Sequence, residues 1–220
     1  MGALQAAAGL SHWIAENAKS TRAFLKRVDA IVPLTRPLQE HDIQVLPRPD
    51  KGRADRSPST DAERAAQALL APALAGHPVG LISEAGLPAV ADPGSAVVLA
   101  AHRLGITVQP LSGPSSLMLA LASSGLQGQS FAFVGYLPVD AAQRTKRIRD
   151  LEQLSGRQQQ TQLVIETPYR NQALLQALLQ SLQPLTLLSV GCGLTLPQGW
   201  TRTDTVASWR QNMPTLPSDV

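Results

Sequence analysis

Short apolar runs alternate with longer amphipathic stretches along most of the chain. Residues 79–83 (VGLIS) form one such run, followed at once by Glu84, Gly86, Pro88, Asp92, Pro93 and Gly94. That pattern reads as a buried strand ending in a loop. The next stretch, SAVVLAAHRLG, is apolar on most faces and closes at Gly105, as a helix packed on a sheet does when a glycine lies just past its end. ITVQPL (106–111) reads as the following strand, completing a βαβ unit. Residues 111–126 (LSGPSSLMLALASSGL) repeat the order: a strand end, Gly113-Pro114, Ser115 as N-cap of an apolar helix, and Gly125 closing it. Two consecutive strands would then end in Gly/Pro/Ser turns on one edge of a sheet. Ligands of open α/β sheets settle beyond the carboxyl ends of the strands, so the loop 84–94 is expected at a site. The plainer reading is turn chemistry alone, since Gly supplies positive φ and Pro presets a bend.

Elsewhere the pattern predicts further alternation. HWIAE (12–16) is a strand end, and Asn17 or Ser20 caps a helix that buries Ala18, Thr21, Phe24, Leu25 and Val28. AIVPL (30–34) reads as a short strand. Residues 35–60, rich in Pro, Arg, Asp and Lys without an apolar period, read as a long exposed loop. A helix opens at Asp61, and Pro72 should bend or end it. Beyond 126 come a strand (FAFVGYL), a helix over 140–154, a strand (QLVIE), a helix (TPYRNQALLQALLQSL), a strand (LTLLSVG) and a last helix (TDTVASWRQN). Thr167 would be the N-cap of the second of these helices, with Pro168 at its first position. The fold class is α/β, in two α/β halves over 1–112 and 113–220, hinged at Gly113-Pro114.

Composition narrows the function. With 220 residues and 44% hydrophobic content the chain can bury a sizeable core, filled by Ala and Leu because aromatics are only 4%. Cys192 is the only cysteine and the four histidines lack ligand spacing, which argues against a metal enzyme. No apolar run reaches the ~18 residues of a membrane span, so no membrane partner is expected and the chain reads as cytoplasmic. A net charge of +3 permits a polyanionic partner without requiring one. The basic residues Arg144, Lys146, Arg147 and Arg149 form either a solvated helix face or a phosphate-contacting surface. Tyr169 and Arg170 follow Glu166-Thr167-Pro168 at a strand end, where side chains face any ligand between the halves. GLISEAG has neither GxGxxG nor GxxxxGK[ST], which sets aside a plain nucleotide-binding module.

Four ordered stretches carry a resemblance. VGLISEAGLPAVADPG resembles VALVSDAGTPxxxDPG, LSGPSSLMLALASSGL resembles PxPGPSAxxxALxxSGL, FAFVGYLP resembles FxFxGFLP, and ETPYR resembles ESPHR. Together with AENAKSTRAFL, which looks like AEDTRxTxxLL, they are similar to the S-adenosylmethionine-dependent methyltransferases of the tetrapyrrole-methylase superfamily. The nearest branch methylates the cytidine ribose 2′-O of small-subunit ribosomal RNA. The resemblance is collinear from about His12 to Leu188.

What it implies is a homodimer of two-domain α/β chains, each holding S-adenosyl-L-methionine in a cleft between its domains. Ser83, Glu84, Ala85, Gly86, Leu87 and Pro88 would border that cofactor from the first domain, and the Gly113-Pro114 hinge would border it between the two. Ser115, Ser116, Glu166, Thr167, Cys192 and Gly193 would border it from the second. Close approach of backbone to ligand needs Gly and small residues, which these stretches have. A ribose hydroxyl also needs a proton acceptor, for which Glu16, Lys19, Glu166 and Tyr169 are candidates. Arg144, Lys146, Arg147, Arg149 and Arg170 are the candidate RNA contacts.

Departures from the pattern keep other functions open. Asn17, Ala18 and Lys19 stand where the branch has Asp, Thr and Arg; Leu87 and Glu84 replace Thr and Asp; GCGLTLPQGWTR replaces a charged RELTKxxEE. Tetrapyrrole methylation, or a non-catalytic paralogue that binds cofactor or RNA, are the alternatives. The family's first strand with its PTPxGNxxD loop, and its closing strand, have no counterpart in the sequence given. That predicts a poorly stable product unless MGALQAAAGL or another chain substitutes.

Overall fold

The computed structural model describes residues 2–47 and 60–218, with only the backbone of 60–62. Its contacts divide the chain into two units, Met1–Pro114 and Ser115–Val220.

In the first unit, α1 (Gly2–Ala8) leads to β1 (His12–Ala15), α2 (Ala18–Asp29), a 3-10 turn (Leu38–Glu40), β2 (Asp42–Val45), α3 (Thr60–Leu69), α4 (Ala71–Leu74), β3 (Val79–Ile82) and α5 (Ser95–Arg103). The three strands form a parallel sheet in the order β2-β1-β3. Alternation along β1 divides the core, because successive side chains leave opposite faces of a strand. Trp13 packs with Ala7, Ala8, Leu25 and Val28 of α1 and α2. Ile14 packs with Ala66, Leu70, Val97, Ala100 and Ala101, from the side of α3 and α5. Helices therefore cover both faces, as a parallel sheet requires. Gly80 lies opposite Trp13 in register, and a Cβ there would stand 2.6 Å from the indole. The indole N–H donates to His41 Nδ1 at 3.2 Å, so His41 carries its proton on Nε2, 3.2 Å from the Arg36 carbonyl.

Several expectations hold here. Asn17 is the N-cap of α2, its side chain accepting the Lys19 N–H at 2.9 Å, and Thr21, Leu25 and Val28 are buried while Ala18 and Phe24 are half-buried. Pro72 sits in the first turn of α4, just past the end of α3. Two predicted strands do not form. Residues 30–34 wrap the end of α2, where Ile31 and Val32 both donate to the Val28 carbonyl at 2.9 and 2.8 Å and Pro33 has no N–H to offer. The edge of the sheet goes instead to β2, inside the stretch expected as a loop; residues 48–59 of that stretch lie outside the described residues. Residues 106–111 belong to no sheet: only Ile106 is partly buried, Val108 and Leu111 are exposed, and Pro110 lacks a donor. The bend at Gly113 therefore does not end a second strand of the sheet.

The second unit comprises α6 (Ser116–Ser124), β4 (Phe131–Gly135), α7 (Ala141–Gln158), β5 (Thr161–Val164), α8 (Asn171–Ser181), β6 (Leu187–Cys192), β7 (Trp200–Thr205) and α9 (Val206–Gln211). β4 and β5 are parallel, and β6 and β7 antiparallel. Its core joins Leu137, Ile148, Leu151, Leu174, Leu175, Leu179, Leu182, Val206 and Trp209. Trp209 is fully buried, donates its indole N–H to the Leu188 carbonyl at 2.9 Å, and lies 4.1 Å beneath the Arg202 guanidinium. α6 begins after Ser115, ends at left-handed Gly125, and is tied to β7 by Thr203 Oγ1 donating to the Ser124 carbonyl at 2.7 Å. The stretch expected as the last helix splits: β7 runs to Thr205, whose hydroxyl caps α9 from Ser208 N at 3.2 Å. α8 also starts later than predicted, with Arg170 as N-cap, because the Thr167 hydroxyl is directed to Glu166 instead of a helix N–H. No described helix is long and apolar enough to cross a membrane.

Candidate functional site

Glu16 and residues 83–88 leave a strand edge in the first unit and Glu166 to Arg170 one in the second, while Ser115, Ser116, Cys192, Gly193 and the basic residues of α7 lie at neither. In the first unit, Ala15 pairs with Ile82, so Glu16 and Ser83 leave parallel strands side by side. The Glu16 carboxylate accepts the Glu84 N–H at 2.8 Å, and the Glu84 carboxylate accepts the Ser20 hydroxyl at 2.5 Å. These bonds tie the first turn of α2 to the start of the loop 83–94. The loop closes on itself through Ala89 N–H to Pro93 O at 3.2 Å and Val90 N–H to Leu87 O at 3.1 Å. Its backbone is unusual. Gly86 has φ +79° with open space where a Cβ would stand, and Ala89 and Ala91 both have φ +65°, in the left-handed region that non-glycine residues seldom occupy. Gly94, at φ +130°, precedes α5 with Leu81 3.1 Å from where its Cβ would be. Glu84, Ala85 and Gly86 are exposed, and Ser83, Leu87 and Pro88 are half-buried. The Gly113 bend comes to this loop as well, its Cβ position 3.8 Å from Leu87 Cδ2. Lys19 is exposed one turn from Glu16.

In the second unit, Gly135 pairs with Val164 and accepts the Ile165 N–H at 3.3 Å, so residues 136–140 and 165–170 leave the sheet at the same edge. Glu166, only 9% exposed in its side chain, gathers four donors on Oε1: Thr167 N–H at 2.8 Å, the Thr167 hydroxyl at 3.2 Å, and Arg170 Nε and Nη2 at 3.0 and 2.6 Å. Arg170 is thus committed to a neighbour. Tyr169, between them, is 79% exposed. Along α7, Lys146, Arg147 and Arg149 are exposed, while Arg144 is half-buried and donates to the Val139 carbonyl at 3.0 Å. Ser115 is buried before α6, and Ser116 is exposed. Cys192 ends β6, and Gly193 at φ +56° opens the turn to β7. In that turn Gly199 passes so close that a Cβ would be 2.0 Å from the Gly193 carbonyl.

Ser20 is the residue that sequence reasoning did not place at the site. Its signal was its place one turn into a helix capped by Asn17, on the same exit as Glu16. No group of three or more His, Cys, Asp or Glu among the described residues is arranged to hold a metal.

The chain is 37% identical over 135 residues to the ribosomal RNA small subunit methyltransferase I of Mesorhizobium japonicum, covering 61% of this chain and 45% of that protein. It is 34% identical over 108 residues to the Vibrio cholerae protein of the same name, covering 49% and 36%. The matched stretches thus span less than half the length of these relatives. Among solved structures, uroporphyrin-III-C-methyltransferase from Thermus thermophilus aligns with a TM-score of 0.49 at 18% identity, covering 99% of this chain and 81% of that one. Residues 18–207 match the family described as Tetrapyrrole (Corrin/Porphyrin) Methylases, and the chain belongs to that family.

Proposed function

We propose that this chain is an S-adenosyl-L-methionine-dependent methyltransferase acting on small-subunit ribosomal RNA, with a cytidine ribose 2′-hydroxyl as methyl acceptor. The observation that carries this reading is the run of relatives named ribosomal RNA small subunit methyltransferase I, within a family match that covers most of the chain. The loop 83–94 supports it. The exposure of Ala85 and Gly86, small residues that let a ligand approach the backbone, suits a ligand held chiefly by main-chain groups, and the two left-handed alanines are the kind of strain found at ligand clamps.

When bound, the cofactor supplies an activated methyl group on sulfur. A transfer from it would form an O–C bond as the S–C bond broke, with S-adenosylhomocysteine as the leaving group, and the hydroxyl proton would pass to an acceptor supplied by this chain. Ser83, Glu84, Ala85, Gly86, Leu87, Pro88, Gly113 and Pro114 are proposed for the cofactor from the first unit. Ser115, Ser116, Glu166, Thr167, Cys192 and Gly193 are proposed from the second. Of the proton-acceptor candidates, Glu166 already takes four donors, two of them from the Arg170 guanidinium, whereas Glu16 takes a single N–H, that of Glu84. Glu16 is therefore preferred over Glu166, with Lys19 and Tyr169 as the other two. Lys146, Arg147 and Arg149 are proposed to meet phosphates. Arg144 and Arg170, each engaged within the chain, hold neighbouring backbone and carboxylate. A homodimer in the cytoplasm completes the reading.

The test is transfer of a labelled methyl group from S-adenosyl-L-methionine to purified small ribosomal subunits, followed by nucleoside analysis. Label in 2′-O-methylcytidine is the expected result. Label in another nucleoside, or no calorimetric binding of the cofactor, overturns the reading.

A further inference from the structure

The chain has two tyrosines, and they are its two most exposed aromatic residues: Tyr169 at 79% and Tyr136 at 54%. Trp13 and Trp209 are buried, Phe24 and Trp200 half-buried, and Phe131 and Phe133 are 38% and 36% exposed, so the two tyrosines stand furthest into solvent. Both tyrosines lie just past the carboxyl ends of the parallel strands β4 and β5, at the edge set by the pairing of Gly135 with Val164. Neither phenol makes a hydrogen bond to another described residue.

Each is held on a fixed support. Tyr169 rides on the turn 167–170, closed by Arg170 N–H to Thr167 O at 3.0 Å and clamped from both ends by the Glu166 carboxylate. Tyr136 stands between Gly135, at φ +73°, and Leu137, which is anchored in the core at 4% exposure. A large aromatic face that is rigid and solvated offers contact area at little cost in conformational entropy. The surrounding charge selects the ligand. Arg144 holds the loop after Tyr136 through the Val139 carbonyl, and Lys146 and Arg147 are exposed within the next turn of α7. Of the acidic groups on this stretch, Asp140 accepts the Gln143 N–H and Glu152 the Gln183 N–H and Thr186 hydroxyl, leaving Asp150 as the one exposed carboxylate without such a partner among the described residues.

Exposed aromatic faces beside a basic helix are the arrangement that takes unpaired nucleotides: the rings stack on bases, and the cations track the phosphates. We infer that Tyr136 and Tyr169 form a stacking platform for unpaired bases of an RNA strand whose backbone runs along Lys146, Arg147 and Arg149. This rests on the reading of RNA as the substrate and assigns the residues that grip it.

The experiment measures binding of the full chain, without cofactor, to a fluorescein-labelled twelve-nucleotide oligocytidylate by anisotropy at several salt concentrations. Tyr136→Ala and Tyr169→Ala should each weaken binding about 5- to 100-fold, the range of one lost base stack. The Phe variants should stay within about twofold of the parent, and the Leu variants should be as weak as Ala, because stacking needs a π-face. The salt dependence should be unchanged in the tyrosine variants and shallower in Lys146→Ala/Arg147→Ala. Circular dichroism checks that each variant is folded. Unchanged affinity in both Ala variants, or Leu restoring affinity as well as Phe does, overturns the inference. Tyrosine-dependent binding by a chain that transfers no methyl group would overturn the proposed function alone. Methyl transfer that persists with tyrosine-independent binding would overturn the platform alone.

Discussion

The carboxylate of Glu16 accepts the backbone N–H of Glu84 at 2.8 Å, joining the ends of β1 and β3 across 68 positions of sequence. With Ser20 bound to the Glu84 side chain, the exit of β3 is held from both sides, by main chain and by carboxylate. The loop 83–94 therefore begins from a fixed point even though its first residues are exposed.

Removing that fixed point should loosen the loop before it unfolds the sheet. Glu16→Ala is expected to cost about 1 kcal/mol, below the roughly 1.5–3 kcal/mol of a hydrogen bond to a charged group because Glu84 is solvated. Glu16→Gln, which keeps a carbonyl acceptor, should cost about half as much. Urea unfolding gives the stabilities. Hydrogen exchange over 83–94 should quicken in the Ala variant and much less in Gln.

Three glycines should respond in opposite senses to alanine. At Gly199 the added Cβ would meet the Gly193 carbonyl at 2.0 Å, and at Gly80 the Trp13 indole at 2.6 Å. Backbone yields less readily than a side chain, so Gly199→Ala should destabilise by about 3 kcal/mol and Gly80→Ala by about 2 kcal/mol. Gly156 sits inside α7 with nothing within 4 Å of its Cβ position, so Gly156→Ala should stabilise by about 0.5–1 kcal/mol. Thermal unfolding of the three variants checks the order.

Asp204 should shape the acid limb of the stability curve. The Ser208 hydroxyl, then the Arg202 guanidinium and the Thr205 N–H, all donate to its carboxylate and hold its pKa below the usual carboxylate value of 3.8. A carboxyl group whose pKa is lower folded than unfolded stabilises the fold above its unfolded pKa and loses that contribution as pH falls through the folded one. The parent should therefore lose stability on acidification below about pH 4 more steeply than Asp204→Asn. Parallel slopes of unfolding free energy against pH for the two proteins would remove this account.

The helices were the most legible part of the sequence. Asn17 and Gly125 carry their own capping and stop signals, Ser115 marks the start of α6 although its side chain makes no cap bond, and Pro72 marks the break between α3 and α4, because these effects are local. Strand membership was less so. AIVPL and ITVQPL have the composition of strands, but Pro33 and Pro110 remove donors and no neighbour among the described residues pairs with either segment, while the polar DIQV and WTRTDT gained partners in β1 and β6. Pairing is a property of two segments, which one apolar run cannot show. At the site, the glycine-rich loop was visible in its residue types. The Glu16–Glu84–Ser20 chain of bonds was not, because it depends on β1 and β3 running in parallel and in register.

Glu166 tests how far one oxygen organises the second strand edge. Its Oε1 serves Thr167 twice and Arg170 twice, with the carboxylate nearly buried and the guanidinium about one-third exposed. Glu166→Ala leaves the Thr167 N–H and the Arg170 guanidinium without their acceptor and should cost about 2 kcal/mol, less than a fully buried pair because water reaches Arg170. Glu166→Gln keeps an oxygen but loses the charge, for about 1 kcal/mol. If the ion pair accounts for the loss, Glu166→Ala/Arg170→Ala should be more stable than the sum of the single variants predicts, by about 1 kcal/mol in a double-mutant cycle. Strict additivity would mean that Glu166 acts through the Thr167 turn alone, and the support proposed for Tyr169 would then rest on Thr167 rather than on the guanidinium.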